Sequence, residues 1–566
     1  MRKSKVSLVV ATLIGSTLAA TAAVSGASEP AGYRITSVGE VTGALHTSPR
    51  AINNSGQVAG QLADLRGQNI RFDLLDPEDF PSVEDILNPT ERQHRAIRDY
   101  LTFTVGVDAK FQNLAFELGY FFDGTNISEL DGFEANDAET GQRSDSVNFR
   151  VIGMNNHGTV VGQSSEPYYW IEDTDNQGEL ARFHIRDGFP RAAWSDGVNY
   201  TLVPGDESLI GNGTSSIMAI NDSNVAVGFA AVANGSSLTT FFENVCIRDG
   251  DEDEEGNPVK VNPIAACLHR YWYERSGLTG ASAPLMEEEA YRWVFDDQGN
   301  VLEQARLGLA FDKEADEEDD LDTFRYRSVA NDVNAHGIAV GVSQRQVAGG
   351  TFTRPTLFTE DGAVEMLPGN NSSNNSLAIA INDANIAVGF SNTFINGALR
   401  RRLFYMDVTN GVSEPVYPRG FFSDSSWQPR GINNLGQIVG TGENDATQGG
   451  QRRSTAFLYD INTDIIVDLN TYLPCNSEYQ IIDAMDINDA GEIAALAVEI
   501  SDFIEDGEVQ EVARLRSLIL TPDSAAERCQ QEDDQLTRKG AAIHPILLGV
   551  LSLVAVISIR RRKPKA

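Results

Sequence analysis

Three features of this 566-residue sequence predict an all-β fold of repeated four-stranded units. One short motif recurs seven times, an aromatic strand follows most of its copies, and the last copies stand about fifty residues apart. The clearest copy is Arg430-Gly431-Ile432-Asn433-Asn434-Leu435-Gly436-Gln437-Ile438-Val439-Gly440.

The motif centres on Asn53, Asn155, Asn221, Asn334, Asn382, Asn433 and Asn488, each preceded by an apolar residue. Three residues later stands Gly56, Gly158, Asn224, Gly337, Asn385, Gly436 or Gly491. Only Gly and Asn occupy that position, and these residues enter positive φ at least cost, so a left-handed turn residue is expected there. The leading Asn is placed to hydrogen-bond its own turn, as in an Asx-turn. Small or β-branched residues follow, as in Val160-Val161-Gly162, and a Gly closes six of the copies; the last has Ala495. The pattern reads as strand, tight turn, strand.

A short aromatic strand comes next, such as Ala192-Ala193-Trp194, Tyr291-Arg292-Trp293 or Ala456-Phe457-Leu458-Tyr459. A weaker fourth strand follows, such as Tyr200-Thr201-Leu202 or Ile465-Ile466-Val467. The last three intervals between motifs are 48, 51 and 55 residues. Four short strands at that period predict the blades of a β-propeller, and seven turns predict about seven blades. Tyr33-Arg34-Ile35-Thr36-Ser37-Val38 stands just before the first motif, so the N-terminal strand is expected to complete and close the last blade.

The earlier intervals are 102, 66 and 113 residues. We expect partly helical insertions at about 61–130 and 239–323; the alternative is degenerate blades that raise the number to eight or nine. Residues 81–87 open with Pro and acids, the start of a helix. Residues 90–100 set Ile97, Tyr100 and Leu101 on one face of a second helix.

The repeated A-x-x-I-N-x-x-G-x-V-V-G pattern with its A-F-L-Y strand resembles the HAF-type extracellular repeat. The layout of export signal, repeats and C-terminal apolar segment is similar to DUF3466, a bacterial envelope family of unknown function. The resemblance implies an exported repeat protein and no particular activity.

Residues 1–27 read as a signal peptide: Arg2, Lys3 and Lys5, an apolar stretch over 6–20, and small residues at Ala20-Thr21-Ala22 or Ser25-Gly26-Ala27. The repeat domain is expected over 28–526, an acidic linker over 527–540, a transmembrane helix over 541–559 and a basic cytoplasmic tail over 560–566. The repeats then face the periplasm or the cell surface. The tail order also looks like a GlyGly-type sorting signal without its Gly-Gly pair, which leaves anchoring and tail removal both open. Four cysteines in an oxidising compartment suggest two disulfides, Cys246–Cys267 and Cys475–Cys529 by proximity, among three possible pairings.

A formal net charge of −37 argues against a nucleic-acid partner. The sequence has no nucleophile elbow, phosphate-binding glycine pattern or paired-His metal motif, so no catalytic residue and no cofactor is expected. Asp249, Asp251 and Asp253 alternate as calcium ligands do, but Glu254 stands where an EF-hand loop needs Gly, and a solvated acidic loop is the plainer reading. His157 and His336 occupy a turn position that also holds Ser, Ala and Leu, which reads as a tolerant site. Arg400, Arg401, Arg402, Arg452 and Arg453 could meet an anionic glycan or pair with neighbouring acids. Tyr168, Tyr169 and Trp170 could stack on sugar or pack between blades. The expected function is a membrane-anchored binding or scaffold module for an envelope protein or glycan. The alternative is a propeller-fold glycan-processing hydrolase or lyase, which needs carboxylate, His or Tyr groups converging at one mouth.

Overall fold

The computed structural model describes residues 32–526 and 528, apart from 106–107, 134–135, 137–140, 142, 249–255, 257–258, 276–284, 312–326, 348–349, 368–374, 446–451, 506–507. Outside them lie the signal peptide 1–27, the span 541–559, the tail 560–566, all of the linker 527–540 except Arg528, and Asp249, Asp251, Asp253 and Cys529. Among the described residues no helix is long and apolar enough to cross a membrane.

Seven antiparallel sheets follow one another along the chain. Blade 1 is Ala44–Ile52, Val58–Leu65, Leu118–Phe122 and Ile127–Leu130; blade 2 is Phe149–Met154, Val160–Ser164, Arg191–Ser195 and Tyr200–Leu202. Blade 3 is Ser215–Ile220, Val225–Asn234, Met286–Phe295 and Val301–Gly308; blade 4 is Ser328–Val333, Ala339–Val347, Gly350–Thr359 and Gly362–Glu365. Blade 5 has three strands, Ser376–Ile381, Ile386–Ile395 and Ala398–Asp407, with a single bridge from Tyr405 to Val416 where a fourth would run. Blade 6 is Trp427–Ile432, Gln437–Glu443, Ser454–Asp460 and Ile465–Asp468. Blade 7 is Tyr479–Ile487, Ile493–Glu505 and Glu508–Asp523, and its outer strand is Gly32–Ser37, paired from Gly32↔Asp523 to Ser37↔Leu518. The two ends of the described chain therefore share one sheet.

The first strand of every blade touches the first strands of both neighbours, so these strands form the inner ring. The third-strand aromatics fill the seams between blades. Trp194 and Trp293 join blades 2 and 3, Phe404 joins blades 4 and 5, and Phe457 joins blades 5 and 6. Each is at most 1% exposed, and burying such a ring contributes about 2–3 kcal/mol.

Every first strand carries a register shift at the same place, so one extra residue bulges out of the ladder. These extra residues are Arg50, Ile152, Met218, Asn331, Ile379, Arg430 and Met485; each is partly or fully exposed although the residue before it is buried. They project from the free inner edge into the central channel. The bulge also explains the Gly that closes the motif. A Cβ on Gly162 or Gly228 would lie 1.9 Å from the carbonyl oxygen of Arg150 or Ser216 on the first strand. Blade 7, which carries Ala495 instead, has a second register shift between Ile481 and Asp483.

The excursions are narrower than the expected 61–130 and 239–323, because blade strands occupy both ends of the first range and, from Met286 to Gly308, the later part of the second. They run over 66–117 and 235–285, always between the second and third strands. A third, 165–190, forms the antiparallel hairpin Tyr169–Thr174 with Leu180–Ile185. Residues 81–87 are turns, not helix. Asp85 accepts bonds from the Leu87 backbone N–H (3.1 Å) and the Asn88 amide (3.0 Å), a local alternative to helical bonding, and Pro89 follows. Helix α1, Glu91–Asp99, begins at Thr90 with a capping box to Gln93 and buries Ile97; Leu101, buried too, lies in the turn Tyr100–Thr104 that follows.

Candidate functional site

The two faces of the ring differ. The face carrying the first-to-second-strand turns is sealed by the repeated asparagines. Asn53 Nδ2 donates to the Asn155 carbonyl, Asn155 to Asn221, Asn221 to Asn334, Asn334 to Asn382, Asn382 to Asn433, Asn433 to Asn488, and Asn488 back to Asn53, at 2.9–3.4 Å. All seven are at most 8% exposed. Each Oδ1 faces inward to its own turn; that of Asn433 accepts from the N–H groups of Leu435 (3.1 Å) and Gln437 (2.9 Å). Gly56, Gly158, Asn224, Gly337, Asn385, Gly436 and Gly491 all take positive φ, between 56° and 82°.

A second, exposed ring lies above it. Asn54 N–H donates to Asn156 Oδ1, Asn156 to Asp222, Ala335 to Asp383, Asp383 to Asn434, Asn434 to Asp489 and Asp489 to Asn54, at 2.8–2.9 Å. Ala335 has no acceptor side chain, and it interrupts the circle. His157 and His336 join the same network, each with Nε2 at 3.2 or 3.1 Å from the carbonyl of Asp222 or Asp383 in the next blade. Side chains on this face are committed to holding blades together.

The opposite face carries the three insertions, all on blades 1 to 3, and they fuse into one cap. Ala109 from the first, Phe183 and Ile185 from the second, and Ala266 from the third share a core. Lys110 pairs with Asp175 at 2.7 Å and holds that carboxyl down to about 2. His184, 1% exposed, accepts the Asn113 N–H at Nδ1 (2.9 Å) and lies between the rings of Trp170 and Tyr168, centroids 4.5 and 5.2 Å away. Tyr168 also meets His269 edge-on at 5.9 Å. Tyr168 and Trp170 thus belong to the cap core and not to a seam between blades.

In the third insertion, helix α2 (Ser236–Phe241) continues into the turn Phe242–Ile247, which the Cys246–Cys267 disulfide joins to helix α3 (Ile264–Arg275); the sulfurs sit among Phe189, Leu238, Leu268 and Tyr271. Cys475 is disulfide-bonded as well, and among the described residues no cysteine is free. The Cys246–Cys267 bond spans 21 residues. Closing a loop of that size removes about 3 kcal/mol of unfolded-chain entropy. Replacing both cysteines by Ser is expected to speed hydrogen exchange throughout 235–275 by about a hundredfold, with blades 5 and 6 unchanged. Uniform acceleration over all blades would contradict the cap's status as a separately stapled unit.

Beside the cap is a cleft of about 270 Å³ between the segment 203–214 and blade 3. Asp206, Glu207 and Asn212 line one wall; Tyr291, Trp293 and Gln304 line the other. The rings of Tyr291 and Trp293 stand 5.5 Å apart and tilted by 31°. Asp206 Oδ1 accepts from the Ser208 hydroxyl (2.6 Å) and backbone N–H (2.9 Å), and these bonds hold its carboxyl below the ordinary range. The wall is braced by the cap. Gly211, at φ 62°, is pressed against Phe189, which stacks on Trp272 at 4.9 Å. A smaller cleft of about 180 Å³ lies against blade 1. Arg143 in that cleft is engaged by Asp131 at 2.9 Å, Asp145 at 2.5 Å and Glu129.

The carboxyls that burial pushes upward stand elsewhere: Asp332, Asp483 and Asp486 on first strands, and Glu288 on the third strand of blade 3, paired with Arg327 at 2.6 Å. Asp332 rises to about 7 and Asp486 to about 6. Each accepts a backbone N–H of the next blade, Ile381 at 2.8 Å and Ile52 at 2.9 Å. Among the basic runs, Arg400 pairs with Glu443 at 3.5 Å, and Arg452 with Asp424 and Glu443 at 2.8 and 3.0 Å. Sequence reasoning missed the cleft and the cap core. The segments that meet in them are about 70 to 160 positions apart, and the one usable signal was a 66-residue interval too long for a single blade.

No curated protein matches the sequence significantly. Among solved structures, Pyrococcus horikoshii acylaminoacyl peptidase is 10% identical with a TM-score of 0.34, covering 82% of this chain and 52% of that one. TolB from Acinetobacter baumannii is 12% identical with a TM-score of 0.22, covering 43% of this chain and 51% of that one. The matches span about half the length of each of those chains, and at these TM-scores they carry no inference about this one. The family model described as a protein of unknown function, DUF3466, matches residues 11–562, nearly the whole sequence, and the chain belongs to that family.

Proposed function

We propose that this protein is an exported, membrane-anchored binding module of the bacterial envelope, and that it takes a glycan in the cleft beside the cap. The observation that carries this reading is the asymmetry of the ring. One face is a closed hydrogen-bonded circle of short turns; the other holds every large insertion and the cleft. Rigid scaffolds commonly place recognition on such added loops. The partly exposed Tyr291 ring, beside carboxylate, amide and hydroxyl groups and backed by the buried Trp293, suits a sugar face and its edge. The Cys246–Cys267 bond fits an oxidising compartment, and the apolar run 541–559 ahead of Arg560-Arg561-Arg562-Lys563 supplies the anchor. A binding role is favoured over hydrolysis because the one cleft carboxyl with a shifted pKa, Asp206, is held low, whereas a general acid needs a raised one.

The test is a panel of immobilised envelope oligosaccharides probed with the intact repeat domain. Binding is expected, weakened about tenfold by Tyr291→Ala and by Gln304→Ala, the loss typical of one stacked or hydrogen-bonded contact. No binding across the panel, or equal binding by both variants, would sink the glycan reading.

A further inference from the structure

The acidic ring encloses a cationic spot that its own side chains do not neutralise. Arg50 is the bulged residue of blade 1, between Pro49 and Ala51, and is exposed to the channel. Among the described residues its side chain makes no ion pair and no hydrogen bond. The bulge leaves it no choice of direction, since both flanking residues are buried between blades. The neighbouring charges are Arg150 and Glu117 on one side and Arg430 and Asp483 on the other. Arg150 is spent on Glu117 at 2.9 Å, and Arg430 on Asp483 at 2.8 Å. Three guanidiniums against two carboxylates leave one positive charge, on Arg50. Burial pushes the Arg50 guanidinium below its ordinary value, and Arg150 and Arg430 push it further while Glu117 opposes. In a chain of net charge −37, an exposed cation whose neighbours' charges are already matched is free to take an anion from solution.

We propose that the central channel binds a monoanionic carboxylate at Arg50, the acid group of a uronic acid or a similar small sugar acid. A guanidinium presents two parallel N–H donors that match a carboxylate. The charge count selects among oxyanions. A carboxylate brings the cluster to neutrality, whereas a phosphate dianion leaves an excess negative charge in the channel. Arg50 stands three residues before the sealed asparagine circle, so the ligand enters from the capped face. The site is separate from the cleft and does not depend on it.

The probes are sodium glucuronate, glucose and inorganic phosphate at matched ionic strength, measured by titration calorimetry on the repeat domain. Glucuronate is expected to bind and glucose not. Arg50→Gln is expected to weaken glucuronate binding by about tenfold or more, the loss for a charge-assisted pair, with Arg50→Lys restoring part of it. In the unaltered protein, glucuronate is also expected to slow phenylglyoxal labelling of Arg50 about threefold or more, with exposed Arg34 unaffected. That labelling decides the matter if Arg50→Gln does not fold. Absence of protection, undiminished binding by Arg50→Gln, or tighter binding of phosphate than of glucuronate would each overturn the assignment.

Discussion

Asn433→Ala is expected to destabilise the ring by about 3–6 kcal/mol, a large effect for one substitution. The side chain is 3% exposed and serves four partners, one of them the Gln437 Oε1 to which its amide donates at 2.8 Å. Its oxygen accepts the N–H groups of Leu435 and Gln437, and its amide donates to the Asn488 carbonyl at 2.9 Å. Removing it strips two backbone donors and the Asn488 carbonyl of their partner where little water reaches, at roughly 1–3 kcal/mol each, and frees the Gln437 side-chain oxygen as well. The neighbouring Leu435, 46% exposed, provides the control; Leu435→Ala is expected to change stability by less than about 0.5 kcal/mol. Asn433→Asp separates the two halves of the role. It keeps the acceptor for the turn but sets a second oxygen against the Asn488 carbonyl. Its carboxyl is expected to titrate above the ordinary range, so the variant recovers stability as pH falls below about 5. Thermal unfolding of the three variants at about pH 4 and about pH 8 checks this. An Asn433→Ala protein that melts like the parent would show that the circle is not a closing device.

The second large effect is on pH dependence. Asp332 and Asp486 have folded pKa values raised to about 7 and about 6 by burial. Between the unfolded carboxyl value, near 4, and those values, the folded chain holds more protons than the unfolded chain. Stability therefore falls as pH rises from about 4 to about 7, and the stabilising share of these groups is gone above that window. Each pK unit is worth about 1.4 kcal/mol, and channel water screens part of it, leaving about 1–3 kcal/mol for each carboxyl. Self-repulsion of a chain at −37 acts in the same direction. Carboxyls held low, such as Asp175 at about 2, act only below the unfolded value and set the acid limit. Melting temperature is thus expected to be highest near pH 5. Asp332→Asn with Asp486→Asn should flatten the slope between pH 5 and 8, whatever it does to absolute stability. An unchanged slope would place the pH response in the surface charge alone.

Why these two blades carry Asp is visible only in three dimensions. The same motif position holds Ala51, Gly153, Ala219, Ala380 and Gly431 in the other blades. The inner strands approach so closely that a Cβ on Gly431 would lie 2.8 Å from Asp486 Oδ1. An Asp fits where its carboxyl can accept the N–H of the next inner strand, as it does at Ile381 and Ile52. The repeat makes the position recognisable, and the packing of adjacent blades decides what it tolerates.

The sequence by itself determined the all-β class, the repeating four-strand unit, the turn residues that need positive φ, and the near-sevenfold count. Each of these is a local constraint. Steric limits on φ act within one residue, strand periodicity acts within five or six, and each copy repeats the same chemistry. It could not show that the Asn side chain spends its amide on the neighbouring blade, 48 to 113 residues away, because a local Asx-turn accounts for the same residue. Nor could it bring Asn113 to His184, set Asp206 opposite Gln304 in one cleft, or leave Arg50 alone among paired arginines. Those juxtapositions depend on the curvature of the ring and on which insertions share its face. They are sums of weak contacts between segments far apart in the chain, and only the closed tertiary structure decides them.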